Sequence, residues 1–127
     1  MNDSYEVRPI NKKLWREFYG TNPQHTLQGF VIFYKGKARC VVAIFHHFDK
    51  FLIISDIRDT KGIPKATIWK AAKEVYAKIA NLGYSSLYAV ADPDLESAPR
   101  FLNRLGFFLY SITEEGHVYK WVQQPYH

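Results

Sequence analysis

The residues of this 127-residue chain that could do chemistry lie mostly between Lys50 and Gly83. The apolar run 51–57 holds one acid, Asp56, with Ser55 before it and Arg58 two residues on. A carboxylate in such a run is costly unless it is hydrogen-bonded or functional. As a functional group it would be a general base. As a structural one it would pair with Arg58 or with an N–H of the next loop. A polar loop follows at 58–62, carrying Lys61 and Gly62, and Ile63, Pro64, Lys65 and Ala66 then open a helical pattern. Strand, glycine-containing loop and helix start together make an arrangement whose backbone N–H groups can receive an anion. The plainer alternative is a scaffold helix over a sheet, with nothing bound at its end. His46 and His47 suggest a metal, but adjacent strand residues point to opposite faces and cannot chelate one ion together, so no metal site is expected.

The elements around this stretch can be read from periodicity. Ile68, Ala72, Val75, Tyr76 and Ile79 form a helical stripe with Lys65, Lys70, Lys73, Glu74 and Lys78 on the other side. Pro64 suits the first turn of that helix and Gly83 its end. Lys70–Glu74 and Glu74–Lys78 are one turn apart and suit ion pairing. Residues 4–10 read as a strand, and Asn11 as the N-cap of a short helix bearing Leu14, Trp15 and Phe18. Residues 20–28 are a loop, read as a plain connection rather than a substrate lid. Strands 29–34 and 38–45 form a hairpin across Lys35-Gly36-Lys37, and a second turn at 46–49 leads into the strand at Phe51. Beyond Gly83 come a buried-type strand at 86–91, broken by Asp92-Pro93-Asp94, a helix at 95–105 ended by Gly106, and a last hairpin of 107–112 and 117–122. The order is strand, helix, three-strand meander, helix, strand, helix, two strands, which predicts an α+β domain. The strands flanking the long helix should be parallel, joined by a right-handed crossover. Ligands gather at the carboxyl ends of such strands, here 56–65 and 91–94.

Composition narrows the class. One domain spanning 1–127 is expected, and a 47% hydrophobic content with nine Tyr and nine Phe argues against disorder. The single cysteine, Cys40, rules out an internal disulfide and a cysteine-based zinc site. No stretch reads as a targeting segment or approaches membrane-spanning length, so a cytoplasmic protein, or one carried in something assembled there, is expected. The formal charge of +5 favours an anionic partner.

With this order of elements the chain resembles the GNAT N-acetyltransferase superfamily over nearly its whole length. The run from Ala98 to Phe107 looks like the family's closing helix, N-x-x-A-x-x-x-Y-x-x-x-G-F. The run from Asp59 to Pro64 looks like its pyrophosphate signature, in which Arg or Gln is followed after two residues by Gly and, one further on, by Gly or Ala. The resemblance implies a splayed, mixed, mostly antiparallel sheet with a central parallel pair. It also implies acetyl-CoA between the parted strands, its pyrophosphate held by Ile57, Arg58, Lys61, Gly62, Ile63, Lys65 and Ala66. Asp56 would be the base that deprotonates a primary amine acceptor. No metal is implied, and a homodimer is compatible with the family.

Several positions depart from the family. The signature's Arg or Gln falls on Asp59, unless the loop is one residue longer and Arg58 serves, and its last small residue is Pro64, which has no N–H. The closing helix has Leu95 for Asn and Leu102 for the Tyr that protonates the leaving thiolate, and leucine transfers no proton. Tyr88, Tyr110 and Tyr119 are the substitute acids to place. The Leu-for-Tyr exchange is also similar to GNAT-like internal virion proteins of short-tailed phages. Three readings therefore stand: a CoA-dependent N-acyltransferase, a GNAT-fold virion or protein-binding component without chemistry, and, least, a nucleic-acid binder using Phe33, Tyr34 and Trp121 near Lys35, Lys37 and Lys120.

Overall fold

The computed structural model describes residues 5–23, 28–47, 49–58, 61–91 and 97–123, without the side chains of 47, 97 and 98. In chain order the elements are β1 (Tyr5–Pro9), α1 (Lys12–Tyr19), β2 (Gln28–Tyr34), β3 (Lys37–His47), β4 (Lys50–Ile57), α2 (Lys65–Ala80), β5 (Ser86–Ala91), α3 (Ser97–Arg104), β6 (Phe108–Thr113) and β7 (Gly116–Val122). The seven strands of the described residues form one sheet in the order β1-β2-β3-β4-β5-β7-β6, antiparallel throughout except for β4 and β5. The expected order of elements and the parallel pair are both present.

Local chemistry accounts for the boundaries. Asn11 caps α1, its side chain accepting from the Leu14 N–H at 2.8 Å, and Gly20 ends the helix at φ 79° with its N–H on the Arg16 carbonyl. The β2–β3 turn is two residues long, Lys35 (φ 52°) and Gly36 (φ 80°), the left-handed pair that a tight hairpin requires. Pro64 stands one position earlier than the sequence suggests. Its ψ of 142° makes it the N-cap of α2 rather than a first-turn residue. The carboxylate of Glu74, spaced to meet Lys70 and Lys78, instead accepts from the Tyr5 hydroxyl at 3.0 Å and ties α2 to β1.

The two sheet faces are covered differently. On one face α1 lays Leu14, Trp15, Phe18 and Tyr19 over Val31, Val41 and Ala43 of β2 and β3. On the other, α2 buries Val75 and Ile79, and α3 buries Leu102, against Val42, Ile44, Ile53, Leu87, Ala89 and Tyr119. Strand alternation assigns the residues: Ile53 of β4 faces α2, and its neighbours Leu52 and Ile54 face the α1 side. On the α1 side the far strands carry exposed apolar groups, among them Ile54, Val90, Phe108 and Tyr110. There Lys50 and Lys120 lie 5.5 and 5.3 Å over the Tyr88 ring.

Gly29 marks the tightest backbone approach. Its φ is 154°, and a Cβ there would lie 2.1 Å from the Val42 carbonyl oxygen and 2.8 Å from the Ala43 Cα. These are backbone atoms of the paired strand and cannot turn aside. Gly29→Ala is therefore expected to destabilise the protein by about 3 kcal/mol, read as a lowered urea midpoint. Gly20→Asn, where nothing lies within 4 Å, should cost far less.

Candidate functional site

The sheet is complete on one side of β4 and nearly absent on the other. β4 pairs with β3 along its whole length, from His47↔Lys50 to Cys40↔Ile57. With β5 it shares a single register pair, Leu52↔Tyr88. Beyond that point no further register pair joins the two parallel strands, and α2 begins eight residues after the end of β4. An interrupted ladder here places backbone groups and side chains at one spot.

Alternation divides the residues of β4 between two environments. Ser55 and Ile57 point to the α2 side, where the Ser55 Oγ and Tyr76 hydroxyl are 3.4 Å apart. Asp56 points the other way, toward α1. Its carboxylate is 3.5 Å from the Arg58 Nη2, and both side chains are partly exposed, at 39% and 48%. The Arg58 guanidinium is further committed to α1. Its Nη1 donates to the Phe18 carbonyl at 2.6 Å, and the group lies 4.0 Å over the Phe18 ring and 5.0 Å from the Tyr19 ring centre. Arg58 thus straps the end of β4 to α1, on the side away from α2. The buried Tyr19 hydroxyl faces this pair, close to the Asp56 carboxylate but without a well-formed hydrogen bond among the described residues. Burial, and then the nearby Asp56 charge, raise its pKa well above the ordinary tyrosine range.

On the α2 side the helix begins without a side-chain cap and with no acid in its first turn. The Thr67 and Ile68 N–H groups fold back onto the Pro64 carbonyl at 3.0 and 3.1 Å. The N–H groups of Lys65 and Ala66 precede them and have no intrahelical acceptor. Lys61, Lys65 and Ala66 are exposed, and Gly62 turns the chain at φ 86° with open space around it. The structure therefore gathers Lys61, Gly62, Ile63, Lys65 and Ala66 around one helix start, with Ile57 facing them and Asp56 and Arg58 on the reverse face. Positions 59–60 and 92–95, where Asp59, Asp92 and Leu95 drew attention, lie outside the described residues.

A narrow apolar cavity of about 60 Å³ runs beneath the first turns of α2, walled by Cys40, Val42, Ser55, Ile57, Ala71 and Ala72. The sequence offered no signal for this gap, because it arises from small residues on two elements facing one another. Burial, followed by the Asp56 charge, pushes the Cys40 thiol up to about 12. Burial likewise pushes Tyr76 up to about 12. Of the tyrosines considered as acids, Tyr88 lies on the α1 side beneath Lys50 and Lys120, Tyr110 is exposed, and Tyr119 belongs to the core. Tyr76 was missed because its place in the helical stripe reads only as packing. Leu102 is buried in the core. Tyr34 is 6% exposed and Trp121 packs against the core, so neither offers the open ring that base stacking needs. Among the described residues no group of His, Cys, Asp and Glu could hold a metal ion, and no helix is long and apolar enough to cross a membrane.

No family model matches the chain, and no curated protein matches its sequence. Solved structures do resemble it. The ribosomal-protein-S18-alanine N-acetyltransferase of Escherichia coli aligns at a TM-score of 0.71 and 9% identity, over 98% of this chain and 97% of that one. An N-acetyltransferase from Staphylococcus aureus Mu50 aligns at 0.68 and 12% identity, over 94% and 98%. The ribosomal-protein-S5-alanine acetyltransferase of Vibrio fischeri aligns at 0.62 and 15% identity, over 97% and 95%. The chain has the fold of the GNAT N-acetyltransferases.

The raised pKa values make stability depend on alkaline pH. In the unfolded chain Cys40 and Tyr76 release their protons near 9.0 and 10.0, but in the folded protein not until about 12. Above pH 9 unfolding therefore releases protons. The contribution is whole below pH 9 and is lost as pH rises toward 12. Stability at pH 11 should be lower than at pH 8 by about 4 kcal/mol in urea titrations, three pH units' worth of linkage, and Tyr76→Phe should flatten the dependence above pH 10.

Proposed function

We propose that the protein is a CoA-dependent N-acyltransferase that moves an acyl group, acetyl in the simplest case, from a thioester to a primary amine. One observation carries this reading: β4 and β5 part beside an uncapped, acid-free helix start. An extended pantetheine arm fits against the unpaired edge of β4, and its pyrophosphate fits the Lys65 and Ala66 N–H groups. Gly62 keeps the approach open, Lys61 and Lys65 add positive charge, and Ile57 and Ile63 give the arm apolar contact. The likeness to N-acetyltransferases supports the same reading.

The amine then approaches from the α1 side, where Asp56 stands. Asp56, directly or through one water, takes the proton from the incoming ammonium, and Arg58 holds the carboxylate in place. The amine nitrogen forms the new C–N bond, the C–S bond breaks, and the nitrogen gives up its second proton to solvent. The departing sulfur receives its proton from solvent or from the Tyr76–Ser55 hydroxyl pair, since Leu102 can donate none. Most of the acceleration comes from holding two reactants at the parted strands rather than from covalent work by the protein. A cytoplasmic location accompanies this reading. A GNAT-fold component without chemistry, in a virion or a protein complex, is the second reading, and the buried Leu102 in place of the usual acid favours it.

Calorimetric titration with acetyl-CoA tests the proposal. Saturable binding at micromolar Kd is expected, and no binding at millimolar concentration would overturn it. Gly62→Asp, which places a negative charge beside the phosphates, should weaken binding about 100-fold, or about 2.7 kcal/mol. The fold should survive: the new side chain meets open space, and the left-handed backbone at φ 86°, which aspartate tolerates better than most residues, costs about 1 kcal/mol. A thermal-shift comparison with Gly62→Asn, which carries the same backbone strain without the charge, separates the two effects. With an amine found by screening, Asp56→Asn should lower kcat by about 10²–10⁴ and leave the Kd for acetyl-CoA unchanged. Unaltered kcat would remove Asp56 from the mechanism, and binding without turnover of any amine would favour the inactive component.

A further inference from the structure

We infer that the cavity beneath α2 is an acyl-chain subsite, and that the preferred donor is a CoA thioester with a short straight chain of about four to six carbons. The inference rests on the acyltransferase reading and extends it to the substrate. Three features of the cavity carry it.

The first is chemistry. The exposed wall is almost wholly apolar; it is formed by residues of β1 to β4 and α2, with Tyr5, Tyr34, Arg39 and Tyr76 among them, and by Phe101 from α3. An apolar cavity of this kind stays dry and accepts hydrocarbon in preference to water. Interiors of small domains are normally packed without such gaps. Here the helix presents Thr67, Ala71 and Ala72 where larger residues would have closed the space.

The second is position. Ser55 and Ile57 belong both to the cavity wall and to the unpaired half of β4. Ile63, from the loop before α2, lines it as well. A thioester lying against that strand edge has the cavity on the α2 side and Asp56 on the opposite side. The chain can then turn under α2 while the carbonyl remains open to the amine.

The third is size. One water-sized group needs about 10–15 Å³ on this measure, so the 60 Å³ present admits about four to six such groups. A methylene is about as large as a water molecule. Acetyl leaves the space unfilled, and a ten-carbon chain exceeds it.

The experiment is a calorimetric series with acetyl-, butyryl- and decanoyl-CoA on the intact protein. Each methylene moved from water into an apolar site is worth about fourfold in affinity. Butyryl-CoA, two methylenes longer, is therefore expected to bind about fifteenfold more tightly than acetyl-CoA, with no further gain for decanoyl-CoA. In Ala72→Leu, which fills the cavity, acetyl- and butyryl-CoA should bind alike. Should that variant fail to fold, the series on the unaltered protein still decides. Equal affinity for acetyl- and butyryl-CoA overturns the subsite and leaves the acyltransferase reading standing. No binding of any thioester overturns both.

Discussion

The upper end of this molecule depends on how β4 is held. β3 supports it at every position from Lys50 to Ile57, whereas β5 meets it at one. A parallel pair needs a crossover to connect it, and α2 spans the gap by packing Val75 and Ile79 onto strands from both sides. Above Leu52 the two strands share no further register pair, so the edge of β4 that faces β5 retains backbone hydrogen-bonding groups, and α2 starts eight residues beyond the end of β4. The proposed cleft thus comes from an incomplete ladder, and the core below it keeps it from closing.

The two-residue period of β4 then separates tasks that would interfere if they shared a surface. Ser55 and Ile57 face the helix and its apolar cavity, whereas Asp56 faces α1 and solvent. A carboxylate on the α2 side would stand near the helix start, repelling the phosphates the reading places there and lying against hydrocarbon. On its actual side it is balanced by Arg58, which is anchored by the Phe18 carbonyl and the rings of Phe18 and Tyr19. The short helix α1, which buries no residue completely, thereby has a second role in fixing the charge pattern at the end of β4.

Much of this was legible in the sequence, for stateable reasons. The stripe of α2, the cap at Asn11 and the tight Lys35-Gly36 turn are local signals, and each reports its element. The parallel pair followed from the long helix between two apolar runs. The side on which Arg58 works was not legible: its position in the loop suggests phosphate, and only the packing of α1 draws it away. The cavity was likewise invisible, because Cys40 and Ala71 are about thirty positions apart and neither is unusual where it stands. Pro64 was placed in the right region and one position off, a difference decided by its ψ alone. Tyr76 illustrates a general limit, since a side chain that fills a stripe and one that offers a hydroxyl to a cleft have the same spacing.

The sheet's last strand has a consequence for the protein as a colloid. Among the described residues β6 has a partner on one side only, and it exposes Phe108, Leu109, Tyr110 and Ile112. Such an edge is a template for a further strand, and the break in its register between Leu109 and Ser111 only partly spoils it. What opposes self-association is long-range repulsion from a net charge of +5, which salt screens within about 8 Å at physiological strength. Concentrated solutions should therefore stay clear in dilute buffer and cloud as salt is added, the reverse of a protein whose solubility rests on a polar rim.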